Sequence, residues 1–106
     1  MNIQDTHKDD AINIAPDLHE VIYEDDKMRV LKVTVKPGAH ADMHWHPHNM
    51  NYVIQSGLLR FTRTDGTTVD VELTEGLVTS STAEVFHTVD NIGDTTVQTV
   101  QVELKY

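Results

Sequence analysis

Residues 38–57 read GAHADMHWHPHNMNYVIQSG, and this stretch decides how the rest of the chain is read. It holds His40, His44, His46 and His48, four of the seven histidines, in a protein without cysteine. Neutral imidazole is the commonest protein ligand for transition metals. On an extended strand, residues two apart point to the same side, so His44 and His46 can reach one ion together. A third ligand must come from elsewhere, and His87 in EVFHTVDN is the best candidate. Three ligands with open positions mark a site that does chemistry, whereas four protein ligands mark a closed structural site; the expectation is an open one.

In a regular strand His40, Asp42, His44 and His46 share a face, with Met43 and Trp45 opposite. Pro47 cannot donate to a ladder and ends the strand, which puts His48 in a loop. His40 sits close to the Pro37-Gly38 turn, so His40 and His48 are secondary candidates.

Working outward, MRVLKVTVKPG alternates, with Leu31, Val33 and Val35 on one face of a half-buried strand. Before it, Leu18–Tyr23 reads as a first strand and Glu24–Lys27 as its polar turn; His19 stands at the strand start without an evident partner. After the histidine stretch come Asn51–Gln55, the Ser56-Gly57 turn and LLRFTRT. Asp65-Gly66 is a strong hairpin signal between LLRFTRT and TTVDVEL. Glu75-Gly76 and Asn91–Asp94 punctuate LVTSS, VFHTVDN and TTVQTVQVELKY. Eight or nine short strands without a useful helical pattern imply an all-β sandwich or barrel, folded as a single domain. Residues 1–15, polar and rich in aspartate, read as a mobile segment with His7 solvated, and residues 16–106 as the folded domain.

The chain has 106 residues, enough to bury a core without disulfides. Its formal charge of −9, from 17 acidic and 8 basic side chains, repels nucleic-acid phosphates and anionic membranes. No stretch approaches the roughly 18 consecutive apolar residues of a transmembrane helix. The start, MNIQDTHKDD, is unlike a signal peptide. A soluble cytoplasmic protein is expected. Without thiolates, a metal must be held by His, carboxylate or carbonyl ligands, which suits Fe(II), Mn, Ni, Cu(II) or Zn.

The spacings resemble those of the cupins, the double-stranded β-helix or jelly-roll family. That family's first motif is Gly, five residues, His-x-His, three or four residues, Glu, six residues, Gly. Gly38, His44, His46 and Gly57 fit it, and Met50 stands in the glutamate place at the three-residue spacing. The second motif begins at Gly76; Thr82 and Glu84 replace its usual Pro and Gly, His87 falls on its ligand position, and Asn91 closes it. More narrowly, His44, His46, Pro47, Gly57, Arg60-Phe61-Thr62, Asp65-Gly66, Val71-Glu72-Leu73 and Val102–Lys105 are similar to a run in very short bacterial cupins, some assigned to β-alanine degradation.

The resemblance implies a mononuclear centre of His44, His46 and His87 for a divalent transition metal. Fe(II) is favoured, with Zn, Ni, Mn or Cu as alternatives. Three neutral imidazoles leave the ion's charge uncompensated, which favours an anionic chelating substrate. Three-histidine sites resemble those of diketone-cleaving and thiol dioxygenases. Oxygen-dependent oxidation of a small oxo- or carboxylate-bearing metabolite is therefore the first functional expectation. A non-catalytic, metal-stabilised module that binds or senses a small ligand is the second. Met50 and Tyr52 are expected in the substrate pocket, with simple core filling the plainer role for Met50. Trp45 is expected to pack outward or between sheets, and Arg60 to lie on the surface or clamp a carboxylate. Unpaired sheet edges in so small a jelly roll, and the habit of many cupins, point to a homodimer.

Overall fold

The structure, a computed structural model, describes residues 7–105. It is a double-stranded β-helix of nine strands: β1 (His19–Glu24), β2 (Met28–Val35), β3 (His40–His46), β4 (Asn49–Gln55), β5 (Gly57–Arg63), β6 (Thr68–Leu73), β7 (Val78–Ser81), β8 (Val85–Asn91) and β9 (Val97–Leu104). Before them lies one four-residue helix, α1 (Ala11–Ile14). One sheet runs β1-β2-β9-β4-β7 and the other β3-β8-β5-β6, with all neighbours antiparallel. Among the described residues, no helix is long and apolar enough to cross a membrane.

The inner faces follow from alternation. Leu31 and Val35 are buried on β2, and Val97, Thr99, Gln101 and Glu103 on β9. Val35, Ala41, Val53, Leu59, Leu73, Val89 and Val97 form the core with Ala15. It is the aliphatic interior that the composition implies, and truncating a buried residue such as Leu31 to alanine costs about 2–5 kcal/mol.

Two motif positions show why their residues are needed. A Cβ on Gly57 would lie 2.4 Å from Val97 Cγ2 and 2.9 Å from Thr95 Oγ1, so the β4–β5 corner requires glycine. Buried Asn91 donates through Nδ2 to Val35 O and Thr95 O, both at 2.8 Å, and accepts from Gly93 N at 2.9 Å. It ties the β8–β9 loop to β2.

Part of the expected mobile segment is packed. Residues 1–6 lie outside the described residues, while His7–Ala15 lie against the barrel. Asp10 caps α1 by accepting from Ile12 N, and Ala11 and Ala15 are buried. His7 is no solvated bystander: its ring stacks on Trp45 at 4.5 Å. Trp45 N donates to Asp9 O at 2.6 Å, and Asp10 and Trp45 form a parallel bridge. Trp45 thus packs away from the histidine cluster, as its parity implies, beneath this segment.

Candidate metal centre

Strand β3 turns its histidines inward by an irregularity rather than by simple alternation. Its register with β8 shifts between Ala41 and His44, so three steps on β3 match two on β8. Such a bulge re-aims the side chains that follow it. Before it, Ala41 faces the core and His40 and Asp42 are exposed; after it, His44 (0 % exposed) and His46 (3 %) face inward. His40 lies outside, hydrogen-bonded to Asp90 at 2.7 Å and Asp42 at 3.0 Å. The expectation of one shared face for all four residues fails for this reason. His48 lies between β3 and β4, outside the cluster, with its carbonyl accepting from Leu104 N.

His44 stands in register with His87 on β8, and their rings are 4.9 Å apart. His46 is 4.8 Å from His44 and 5.4 Å from His87. The three histidines read from the sequence are therefore brought together. A fourth, unforeseen one joins them: buried His19 lies 5.3 Å from the His44 ring and 5.4 Å from the His46 ring. One ligand atom from each of His19, His44 and His46 lies within 4.8 Å of the other two; this group has His19 where the sequence reading has His87.

His19 points inward because β1 also carries a bulge, between Val21 and Tyr23, which sets His19 opposite inward-facing Val33. Directly opposed residues of an antiparallel pair share a face. The hairpin in the sequence gives the pairing but not the extra residue, so only a bulge-aware register could have found His19.

The hydrogen bonds decide which nitrogens are free. His44 Nδ1 is 2.7 Å from Asp42 O, and His19 Nδ1 is 3.0 Å from Ala15 O. A carbonyl only accepts, so each Nδ1–H donates and each neutral ring keeps its Nε2 lone pair. His46 Nδ1 donates in the same way to Glu103 Oε2 at 2.7 Å. Metal-ligating histidines carry this kind of second bond, to a carbonyl or carboxylate. His44 Nε2 is buried and has no hydrogen-bond partner. A buried acceptor left bare costs about 1–3 kcal/mol, and a divalent cation is the partner this donor set suits. The residues fit a metal ion.

Burial keeps the rings neutral. It lowers His19 to about 4, and with help from His44 and Arg29 it lowers His46 to about 3. Burial, then the neighbouring imidazoles, lower His87 to about 2, and burial also lowers His44. The ligand form is thus ready at neutral pH.

Behind His46 lies a buried ionic chain. Glu103 is 1 % exposed and accepts from Arg29 Nε at 2.8 Å and from Arg29 Nη2; Arg29 Nη2 also donates to Asp10 Oδ1 and Oδ2 at 2.8 and 3.0 Å. Burial raises the Glu103 pKa above the usual carboxylate value, and the Arg29 guanidinium pulls it the other way. An ionised Glu103 behind His46 would partly compensate an ion among these imidazoles, contrary to the sequence expectation.

A cavity of about 690 Å³ opens beside His19, His46 and His87. Leu59, Phe61 and Val71 of the four-stranded sheet give it an apolar wall. From the five-stranded sheet come Val53 and, beside it, Asn49, whose Oδ1 accepts from Asn51 Nδ2 at 3.1 Å and Gln101 Nε2 at 3.2 Å. Arg63, in register with His87, lies at the mouth and makes no ion pair among the described residues. Arg60 is the surface arginine, paired with Asp70.

The pocket residues read from the sequence are corrected. Met50 (45 % exposed) and Tyr52 (52 %) lie on the outer face of β4, and Asn49, Asn51 and Val53 line the cavity. The even parity of β3 does not carry through the break at Pro47-His48, because β4 starts anew at Asn49. Asn51, next to the motif's glutamate place at Met50, is the residue that lines the cavity.

This architecture defines a double-stranded β-helix protein with a buried histidine cluster. Residues 31–103 match the cupin domain model, and the chain belongs to that family. Among solved structures it is similar to a cupin domain from Bordetella pertussis Tohama I (24 % identity, 84 % of this chain and 93 % of that one, TM-score 0.77). A protein with a double-stranded β-helix domain from Klebsiella pneumoniae is 22 % identical over 83 % of this chain and 76 % of its own (TM-score 0.66). A cupin superfamily protein from Desulfitobacterium hafniense is 17 % identical over 84 % and 77 % (TM-score 0.63). At these identities the likeness carries the fold alone. No curated protein matches the sequence.

Proposed function

We propose that the chain is a mononuclear metal enzyme that oxidises a small, chelating oxo- or carboxylate-bearing acid with O2. The observation that carries this reading is the cluster of imidazoles with oriented, free Nε2 atoms beside a largely apolar cavity. A divalent ion held there supplies Lewis acidity and, if it is iron, one-electron chemistry with O2.

The chain's own residues do the rest. His44, His46 and either His87 or His19 bind the ion, while Asp42 O, Glu103 and Ala15 O fix ring orientation. Asn51 and Gln101 offer amide groups to the substrate, and Arg63 offers a carboxylate partner at the mouth. Val53, Leu59 and Phe61 exclude water from its body. Among the described residues, Glu84 is the only carboxylate lining the cavity. The test is O2 uptake by the iron-loaded protein across a panel of 2-oxo and 3-oxo acids. Substrate-dependent uptake, lost in His44→Ala, is expected.

One observation favours a second reading. His19 and His87 each stand beside both His44 and His46, and an ion that took all four imidazoles would sit in a closed site. A metal-stabilised binding or sensing module would then bind such acids without consuming O2. For either reading we propose a homodimer. Tyr52 pairs with Val78 and Val100, and Met50 with Val102, in an apolar row on the outer face of the five-stranded sheet. A two-fold axis would set that row against itself, and Tyr52→Glu should then give a monomer by light scattering.

A further inference from the structure

Asp10, Ala15, His19 and Arg29 all precede residue 31, where the family match begins, yet each is joined to the histidine cluster. We infer that residues 7–19 are a working part of the metal centre, docking on the barrel as the ion binds and supplying His19 to it. This rests on the reading of the cluster as a metal site.

Two routes run from the segment to the ligands. In the first, Ala15 closes α1 by donating to Ala11 O at 2.8 Å, and its carbonyl orients His19. In the second, the Asp10 carboxylate holds Arg29, Arg29 holds Glu103, and Glu103 holds His46. Asp10 belongs to both, because it also caps α1. The segment is fastened to the ligand-bearing strand as well, through Trp45, which stands between His44 and His46 in sequence and carries His7 on its ring.

Undocking the segment releases the carbonyl that orients His19 and leaves Arg29 without one of its two carboxylates. An ion that needs these orientations binds the docked form more tightly, so loading stabilises docking and docking raises affinity by the same factor. The cation class is a divalent transition metal that accepts imidazole nitrogen. Supply or withdrawal of that ion would in this way order or release the segment.

The test uses the full, untagged chain. Hydrogen exchange of the Asp10, Asn13, Ile14 and Ala15 amides is followed with and without saturating Zn2+, and Co2+ affinity is read from visible absorption. Exchange in the segment should slow at least about tenfold with Zn2+. Asp10→Asn should weaken Co2+ binding roughly 10–100-fold, as other outer-shell changes do. His19→Gln should weaken it at least about tenfold and alter the Co2+ spectrum. A wild-type chain that binds Zn2+ with unchanged exchange at these amides overturns the inference, as does wild-type Co2+ affinity in both variants. A wild-type chain that takes up neither ion overturns the metal reading, and the inference with it. The exchange arm needs no variant, so an unfolded Asp10→Asn protein does not spoil the decision.

Discussion

His40 and His44 lie four residues apart on β3 and meet opposite environments. His40 is half exposed between Asp90 and Asp42, and its hydrogen bond to Asp90 raises its pKa above the usual range. His44 is fully buried among imidazoles, and desolvation lowers its pKa. The residue type and the strand are the same; one inserted residue between Ala41 and His44 separates them. A histidine's chemistry here is set by the face it reaches, and a bulge sets the face.

The largest effects should fall on the inner side. His46→Ala should lower divalent-metal affinity by more than about 100-fold, beyond the usual range of an outer-shell change, whereas His40→Ala should leave it within about twofold. Isothermal titration with Zn2+ compares them. Equal losses in both variants would erase the contrast.

Next comes the chain behind His46. Glu103→Gln keeps the shape but leaves Arg29 with Asp10 alone, and breaking a buried pair costs about 3–5 kcal/mol. Denaturant unfolding should show a loss of that order, with metal affinity down roughly 10–100-fold. Arg60→Gln, at the exposed pair with Asp70, should cost under about 1 kcal/mol.

The pH response should have opposite signs on the two faces. His19, His46 and His87 have folded values of about 4, 3 and 2, below an ordinary 6.5. Between those values and 6.5 the unfolded chain binds more protons, so metal-free stability should fall as pH drops below 6.5. Any bound ion should leave in the same direction. His40 is raised, so its contribution is present below 6.5 and is lost as pH rises through its folded value. It should be the smaller effect, under about 1 kcal/mol at so exposed a site. Urea midpoints of wild type and His40→Ala across pH 4–8 would resolve both signs.

Much of this was legible in the sequence. Alternation in MRVLKVTVKPG gave the buried face of β2, Asp65-Gly66 marked the β5–β6 hairpin, and motif spacing joined His44 and His46 to His87. Where alternation runs unbroken, parity is a sound guide. It failed at the bulge in β3, which put His40 outside. The bulge in β1, which turns His19 inward, left no signal to read, and the motif position that placed Met50 and Tyr52 in the pocket missed the restart after Pro47-His48, which puts Asn51 inside instead. A one-residue slip reverses every later side chain, and an inserted residue leaves no mark in composition or period. The Asp10–Arg29–Glu103 chain was hidden for another reason: its members are 19 and 74 residues apart, and only the β2–β9 pairing brings two of them together.

The most direct measurement is metal content per chain, by elemental analysis of protein purified without a polyhistidine tag after growth with supplemented iron and zinc. Wild type, His40→Gln and His44→Gln should be compared. About one ion per chain in wild type and His40→Gln, with nearly none in His44→Gln, is the predicted result. A metal-free wild type, or full occupancy in His44→Gln, would contradict the account.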